Sequence, residues 1–403
     1  MLQRVLIVDD DRHVSAWMAA QLGASSYEAK AVNDSSLAID AIASFNPDVI
    51  ILDLLMPGVS GMELLTRIRE DRALDRMKVV VCSSKSFKYD YRHCLEAGAD
   101  AYLVKPVGPQ ELLSTIARLL ADAMKVTFWG TRGSIARPGK DTLKYGGNTS
   151  CVSVEFTRDR LFVFDAGTGI VDLGRSLIAG NKRFKINLFI SHPHWDHIQG
   201  LPFFLPMYQQ GNEVAIHGTR QGKLSLQEVI RGQMDTIYFP VTLGEFSARV
   251  YFKELTESDY EVEKLGVRTL ALNHPGKTLG YVVTNEAGKK VAYVTDNELV
   301  PGIDPHNRNR LISLLSGVDI LIHDANYFDD EYPGKTGWGH SPLTEVLKLA
   351  ADAKVKSLYL FHHDPHHDDE TVERKEALGR RFFEERGLDI KCFCAAERQS
   401  ISV

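Results

Sequence analysis

The stretch Ser191-His192-Pro193-His194-Trp195-Asp196-His197 decides how the larger part of this chain is read. It places four potential metal ligands within six residues. Apolar Ile186, Leu188, Phe189 and Ile190 precede it, and Gly200 follows. Side chains alternate between faces along a strand. His192 and His194 therefore fall on one side as a buried strand runs out into a loop. Asp196 and His197 follow in the turn and can meet a second position nearby. Imidazole nitrogen and carboxylate oxygen are the usual ligands of Zn²⁺ and related ions. A surface loop rich in histidine has no need of an H-x-H-x-D-H spacing closed by a glycine, so the ligand reading is adopted.

Three further strand-like runs end in ligand types. Asn273-His274-Pro275-Gly276 closes one, Val291 to Thr295 ends in Asp296, and Leu358 to Phe361 ends in His362-His363-Asp364. Taken with the 192–197 cluster they supply three His for one ion, Asp and two His for another, and an Asp between them. Two ions about 3.5–4 Å apart can activate a bridging hydroxide and clamp both oxygens of a phosphoryl displacement.

The 403 residues suggest two or three domains, with 44% hydrophobic and 25% charged residues as in globular proteins. A formal net charge of −6 argues against a general nucleic-acid or anionic-membrane surface. Five cysteines are too few, and odd in number, for a disulfide framework, which points to a reducing compartment. Met1-Leu2-Gln3-Arg4 leads straight into apolar Val5 to Val8, so no signal peptide is expected. No apolar run approaches the roughly 18 residues of a membrane span. The expected location is cytoplasmic. Of 14 histidines only His13 and His93 precede residue 124, which marks a boundary between a domain without imidazole chemistry and one built on it.

In that first part four apolar runs end in polar groups. Val5 to Val8 ends in Asp9-Asp10-Asp11, Val49 to Leu52 in Asp53, Val79 to Cys82 in Ser83-Ser84, and Ala101 to Val104 in Lys105-Pro106. Amphipathic stretches, such as 13–22 and 61–70, lie between them. Buried strands alternating with helices predict an α/β, doubly wound parallel sheet with its site at the carboxyl strand ends. Asp9, Asp10, Asp53, Ser83 and Lys105 all fall there. Carboxylates converging in one pocket repel unless a cation joins them, and oxygen ligands select Mg²⁺. Lys105 adds positive charge and Ser83 a hydroxyl, so the residues describe a site for phosphorylating Asp53.

The pattern resembles the receiver domain of bacterial response regulators over residues 2–122. The motifs are Val8-Asp9-Asp10-Asp11, Asp53-Leu54-Leu55-Met56-Pro57-Gly58 with Gly61, and Gly98 through Pro106. The resemblance makes Asp53 the phosphoacceptor and Asp9 and Asp10 the Mg²⁺ holders. Lys105 becomes the phosphoryl contact, Ser83 the phosphate sensor and Tyr102 the aromatic that switches rotamer. It implies a cis Lys105–Pro106 bond and a sensor histidine kinase or other phosphoryl donor as partner. Ser84 stands where the family more often has Ala.

Residues 109–123 read as one helix and the next strand starts at Lys125, with no flexible linker between. The joint suits a switch through a packed interface or a homodimer, and equally a merely compact protein.

Residues 124–403 resemble the metallo-β-lactamase superfamily on the branch of ribonuclease Z and related phosphodiesterases. The resemblance rests on Gly146-Gly147-Asn148-Thr149-Ser150, Asp165-Ala166-Gly167-Thr168-Gly169, the 192–197 cluster, His274 through Tyr281, Thr295-Asp296 and His323-Asp324-Ala325-Asn326-Tyr327. It implies an αββα sandwich. His192, His194 and His274 hold one ion, Asp196, His197 and His362 hold the other, and Asp296 bridges. Two divalent ions, Zn²⁺ or Mn²⁺, are the implied cofactors. His362 is preferred to His363 because it directly follows the strand end. His340 matches a histidine that protonates the leaving alkoxide, and His323-Asp324 a pair whose carboxylate orients it, with Asp one methylene shorter than the family's Glu. Asp165 reads as structural, His366 and His367 as surface residues, and Cys392-Phe393-Cys394 as structural. The tRNA-gripping arm of ribonuclease Z is absent from the short span between His274 and Asp296. Residues 201–246, with Phe203, Phe204, Tyr208, Tyr238 and Phe239, either pack under a loop or wall the pocket and stack a base.

The expected function is a two-component response regulator whose output is a dinuclear metal-dependent phosphodiesterase, acting on a cyclic nucleotide or a short nucleic-acid end and modulated by phosphorylation of Asp53. A thioester or lactone hydrolase is the alternative within hydrolysis. A diiron redox or oxygen sensor is the alternative outside it, and His194 stands where that branch has Glu.

Overall fold

The computed structural model describes residues 3–25, 27–71, 74, 77–84, 88–120, 124–157, 160–179, 183–300 and 305–403. The chain forms two compact units, Met1–Asp122 and Ala123–Val403.

The first unit alternates β1 (Arg4–Val8), α1 (Arg12–Ala24), β2 (Glu28–Val32), α2 (Ala38–Phe45), β3 (Val49–Leu52), α3 (Gly61–Glu70), β4 (Lys78–Ser83), α4 (Lys88–Glu96), β5 (Ala101–Val104) and α5 (Pro109–Leu120). Its sheet is parallel throughout, in the order β2-β1-β3-β4-β5. The central strand β3 is apolar at every position, and its neighbours β1 and β4 are apolar but for their end residues, because both faces are covered. Leu6, Val8, Ile50 and Leu52 join a core with α2 and α3, while Val5, Ile7, Val49 and Ile51 join one with α1 and α5. Asp11 caps α1 by accepting from the backbone of His13 and Val14. The helix expected to run to Ala123 is described to Leu120, and residues 121–123 lie outside the described residues.

The second unit holds two seven-stranded sheets. The first contains β6 (Lys125–Gly130), β7 (Cys151–Thr157), β8 (Arg160–Phe164), β9 (Lys185–Phe189), β10 (Glu213–Gly218) and β11 (Arg249–Glu254). The second contains β12 (Asp259–Val262), β13 (Leu265–Leu272), β14 (Thr278–Thr284), β15 (Lys290–Val294), β16 (Ile320–Asp324), β17 (Ser357–Phe361) and β18 (Lys391–Cys394). The last strand, β19 (Ser400–Ser402), returns to pair antiparallel with β6 in the first sheet. Alternation along the strands builds the layers. Phe189, Tyr281, Tyr293, Ile322 and Phe361 point between the sheets. Leu188 and Ile186 face outward onto α6 (Ile170–Ile178), with α7 (Trp195–Ile198) and α8 (Leu226–Gln233) following on that side of the chain. Val294, Leu321 and Leu360 face outward onto α9 (Pro305–Leu314), α10 (Leu343–Asp352) and α11 (Asp369–Glu384). The result is the αββα sandwich. Among the described residues no helix is long and apolar enough to cross a membrane.

Candidate metal centre

The ligand candidates all follow strand ends. His192 and His194 follow β9, Asp196 and His197 begin the short α7, His274 follows β13, Asp296 follows β15 and His362 follows β17. Three residues on these ends carry left-handed backbone although none is glycine: Asp165 (φ 58°), Asp296 (φ 51°) and His362 (φ 56°). Such conformations cost of order 1 kcal/mol each and collect at functional sites.

Two nests result. Ligand atoms of His192, His194 and His274 lie within 4.8 Å of one another, and so do those of Asp196, His197, Asp296 and His362. Asp296 faces both. Its Oδ2 is 3.6 Å from His192 Nε2 and 3.7 Å from His274 Nε2, while its Oδ1 is 3.4 Å from His197 Nε2 and 3.2 Å from His362 Nε2. His194 Nδ1 and His274 Nε2 are 3.1 Å apart. Ligands about 2.0–2.1 Å from a tetrahedral ion stand about 3.3 Å from one another, and these five separations run from 3.1 to 3.7 Å. Among the described residues the buried Nε2 atoms of His192 and His197 have no hydrogen-bond partner, which suits nitrogens that would ligate an ion. The residues fit two divalent ions.

The opposite ring nitrogens are held for that purpose. His274 Nδ1 donates to Gly339 O at 2.9 Å, and His197 Nδ1 to Asp165 Oδ2 at 2.7 Å. Each leaves its Nε2 lone pair facing inward. Asp165 also accepts from Ser191 N (2.7 Å), Ser191 Oγ (2.8 Å) and Tyr293 Oη (2.8 Å), and every partner is buried. Asp196 Oδ2 accepts from Ser134 N at 2.7 Å. His362 Nδ1 lies 3.2 Å from the Asn326 amide, whose Nδ2 also donates to His362 O.

The electrostatics call for positive charge. Burial lowers the pKa of His192, His194 and His274, which keeps them neutral. Burial works to raise Asp196 and Asp296, but the neighbouring histidines hold both carboxyls well below the usual range. Burial opposes charge on His197, yet Asp196, Asp296 and Asp165 pull its pKa well up. A cation between the carboxylates would relieve that demand.

His340 lines a cavity beside these residues. The cavity, of about 400 Å³, is lined by Ser134, Pro193, His194, Trp195, Asp196, Asp296 and His340. His340 Nδ1 is 3.1 Å from Asp324 Oδ2 and 4.0 Å from Asp296 Oδ2. Burial opposes its charge, but Asp324 and Asp296 lift its pKa to about 9. His323 is not brought to this site. Its Nδ1 donates to Asp324 O at 2.6 Å and its Nε2 lies 3.3 Å from Asn297 Nδ2. His363 is not brought into either nest, and its Nε2 bonds Ala395 O.

One expectation needs correction. His366 is exposed, but His367 is only 5% exposed. Its Nε2 is 2.9 Å from Glu331 Oε1, and the buried Arg132 guanidinium takes the carbonyls of Asp364 and His367. Arg132 folds the turn after His362 inward, which a run of polar letters does not reveal. The sequence reading also missed Ser134, Tyr293, Ser191, Asn326 and Trp195 as parts of the site. Trp195 is 80% exposed although it stands between ligands. Of the aromatics in 201–246, read either as packing under a loop or as walling the pocket, Phe204 is fully buried, and Phe203 stacks edge-on against Phe239. The signal available for Trp195 was its place inside the ligand cluster itself.

In the receiver unit Lys105 Nζ is 2.7 Å from both Asp9 Oδ2 and Asp53 Oδ2. Ligand oxygens of Asp9, Asp10 and Asp53 converge within 4.8 Å, a donor set suited to Mg²⁺. Burial raises Asp9, with Lys105 opposing, and burial opposes charge on Lys105, with Asp53 and Asp9 prevailing to raise it. Ser83 is fully buried at the end of β4, Tyr102 is half-buried on β5, and the Lys105–Pro106 bond is cis.

A parallel five-stranded sheet with an acidic pocket, followed by a sandwich with ligands at its strand ends, defines a receiver fused to a metallo-β-lactamase-fold domain. The family comparisons agree. Residues 160–363, just over half the chain, match the beta-lactamase superfamily domain, and the chain belongs to that superfamily. Residues 5–117 match the response regulator receiver domain. The receiver part is 33% identical over 120 residues to the DNA-binding response regulator MtrA of Mycolicibacterium smegmatis, covering 30% of this chain and 51% of that protein. It is 35% identical over 133 residues to the response regulator MprA of Mycobacterium avium, covering 31% and 58%. The chain thus spans about half the length of these curated relatives. The fold of the second unit is shared with the metallo-beta-lactamase fold protein YhfI from Bacillus subtilis (TM-score 0.52, 16% identity, 70% of this chain and 100% of that one). A diphosphatase of the PhnP family is similar (TM-score 0.50, 19% identity, 70% and 98%).

Proposed function

We propose that the second unit is a two-metal phosphodiesterase acting on a small substrate, and that phosphorylation of Asp53 modulates it. The observation that carries this reading is Asp296 facing both ligand nests, with His340 lining the same cavity and backed by the buried Asp324. Two divalent ions, Zn²⁺ or Mn²⁺, would supply Lewis acidity and a nucleophile of lowered pKa. The chain's own groups do the rest. His192, His194 and His274 would hold one ion, Asp196, His197 and His362 the other, with Asp296 between. Asp165 and Gly339 O fix the tautomers of His197 and His274. Asp324 holds His340 protonated at Nδ1, and His340 delivers a proton to the departing alkoxide. His323 serves as packing for Asp324 rather than as a catalytic group. Trp195 offers an exposed aromatic face at the rim, suited to a base or another planar group on the ester.

In the receiver, Asp9 and Asp10 with Asp53 would hold Mg²⁺. Lys105 would meet the phosphoryl oxygens on Asp53, and Ser83 and Tyr102 would report them. A sensor histidine kinase, or a small acyl phosphate, is the donor this chemistry calls for.

The test is a panel of cyclic nucleotides, dinucleotides, short RNAs and bis(p-nitrophenyl) phosphate, with Zn²⁺ or Mn²⁺, and with and without a phosphoryl donor. Hydrolysis of diesters that Asp196→Ala abolishes supports the reading. A metal-loaded, folded wild type inert on every diester overturns it.

A further inference from the structure

The segment just past the bridging aspartate grips the loop that carries His340. Glu298 is buried. Its Oε1 accepts from Tyr332 Oη at 2.7 Å and from Gly337 N at 2.7 Å, and its Oε2 accepts from Gly339 N at 2.9 Å. The Glu298 backbone pairs with Asn273 on both sides. Glu298 N donates to Asn273 O at 2.8 Å, and Asn273 Nδ2 donates to Glu298 O at 2.8 Å. Glu298 is thus tied to the residue before His274 and to the residue before His340. Gly339 closes the circuit, because its carbonyl accepts from His274 Nδ1 at 2.9 Å. A side chain at 339 would run into the His274 ring, and Gly337 (φ 85°) and Gly339 (φ 89°) both have left-handed backbone. One residue further on, Ser341 Oγ donates to Asn297 O and accepts from Leu299 N at 3.0 Å.

We propose that Glu298 is a positioning residue which sets His274 and His340 together, through Gly339. A carboxylate only accepts, so it collects the donors of a sharply turned loop whose amides no helix or strand would satisfy. It thereby aims Gly339 O at His274 Nδ1 and places His340 over Asp324. The Gln side chain has the same size but turns one end into a donor. In one orientation that end faces Gly339 N–H, and in the other it faces Gly337 N–H. Either way a backbone N–H that the carboxylate now accepts from, the buried one of Gly339 or the more exposed one of Gly337, meets another donor, and the loop must shift. The His340 half of the assignment rests on the proposed phosphodiesterase activity. The His274 half does not.

The experiment compares full-length wild type with Glu298→Gln, after circular dichroism has established that the variant folds. Zn²⁺ affinity is measured by competition with a chromophoric chelator. Turnover is measured on bis(p-nitrophenyl) phosphate, whose leaving group needs no proton, and on a dinucleotide, whose alkoxide does. Affinity is expected to fall about tenfold or more, the usual effect of losing a group that orients a ligand. On the dinucleotide kcat is expected to fall at least about tenfold further than on the nitrophenyl ester, within the range general acids contribute. Unchanged affinity overturns the His274 half, and equal losses on both esters overturn the His340 half. A wild type that cleaves neither ester refutes the phosphodiesterase and with it the His340 half, and the chelator arm alone then decides the other. Should Glu298→Gln not fold, Tyr332→Phe removes one donor and keeps the carboxylate. Its affinity is expected to fall about two- to fivefold, the worth of one hydrogen bond, and an unchanged value overturns the assignment.

Discussion

Replacing Asp165 by Asn keeps the side chain's size and removes its charge. Asp165 is a pure acceptor for four donors: Ser191 N at Oδ1, and Ser191 Oγ, His197 Nδ1 and Tyr293 Oη at Oδ2. An amide cannot serve both ends. With its NH₂ toward Ser191 N–H, donor meets donor at a 2.7 Å contact. With its NH₂ toward His197 Nδ1, the imidazole must accept there and carry its proton on Nε2, the atom that faces the ions. The two hydroxyls can rotate to adapt, whereas the ring and the backbone cannot. Losing the charge-assisted bonds is expected to destabilise the fold by about 1.5–3 kcal/mol. Losing the tautomer is expected to weaken the second ion by about 10- to 100-fold, or roughly 1.4–2.7 kcal/mol. The assay titrates metal-free full-length protein with Zn²⁺ against a competing chelator, wild type beside Asp165→Asn. The first equivalent should bind with little change and the second much more weakly. A variant that binds both equivalents with wild-type affinity would refute the view that Asp165 sets His197.

Trp195→Ala should raise KM for base-bearing diesters about 5- to 150-fold, from about 1–3 kcal/mol of stacking. It should leave a glycerol-based diester unaffected, and equal effects on both would remove Trp195 from recognition. Lys375 is fully buried, donating to Ala325 O and Asn326 O, and burial lowers its pKa from 10.5 to about 8. The folded value lies below the unfolded one, so the cost is complete below pH 8 and fades as pH rises toward 10.5. Against Lys375→Met, wild type should therefore gain about 2 kcal/mol between pH 8 and about pH 10. Urea titrations showing no pH-dependent difference would refute that burial penalty. Asp53→Asn should abolish labelling by radioactive acetyl phosphate, and labelling that persists would place the phosphoryl group elsewhere.

The candidate ligands were legible because they lie at or just beyond the ends of apolar runs, and strand ends on one side of a sheet must converge. The runs also predicted the receiver sheet, since β3 is apolar at every position and β1 and β4 are apolar but for their end residues. The supporting contacts were not legible. Tyr293 looks like any core aromatic, and only its register on β15 brings its hydroxyl to Asp165. Ser134 contributes a backbone N–H, which no side-chain letter announces. His367 sits in a run of polar residues and is buried because Arg132, distant in sequence, draws that turn inward. Asp324 meets His340 at 3.1 Å and also accepts from Ser341 N, so the shorter carboxylate reaches the 337–341 loop.

The most direct test of the two-metal account is the activity of metal-free protein on bis(p-nitrophenyl) phosphate as Zn²⁺ or Mn²⁺ is added in measured equivalents. The account predicts that hydrolysis rises until two ions per chain are bound and then levels off. A maximum at one ion per chain, or no hydrolysis with two bound, would contradict it.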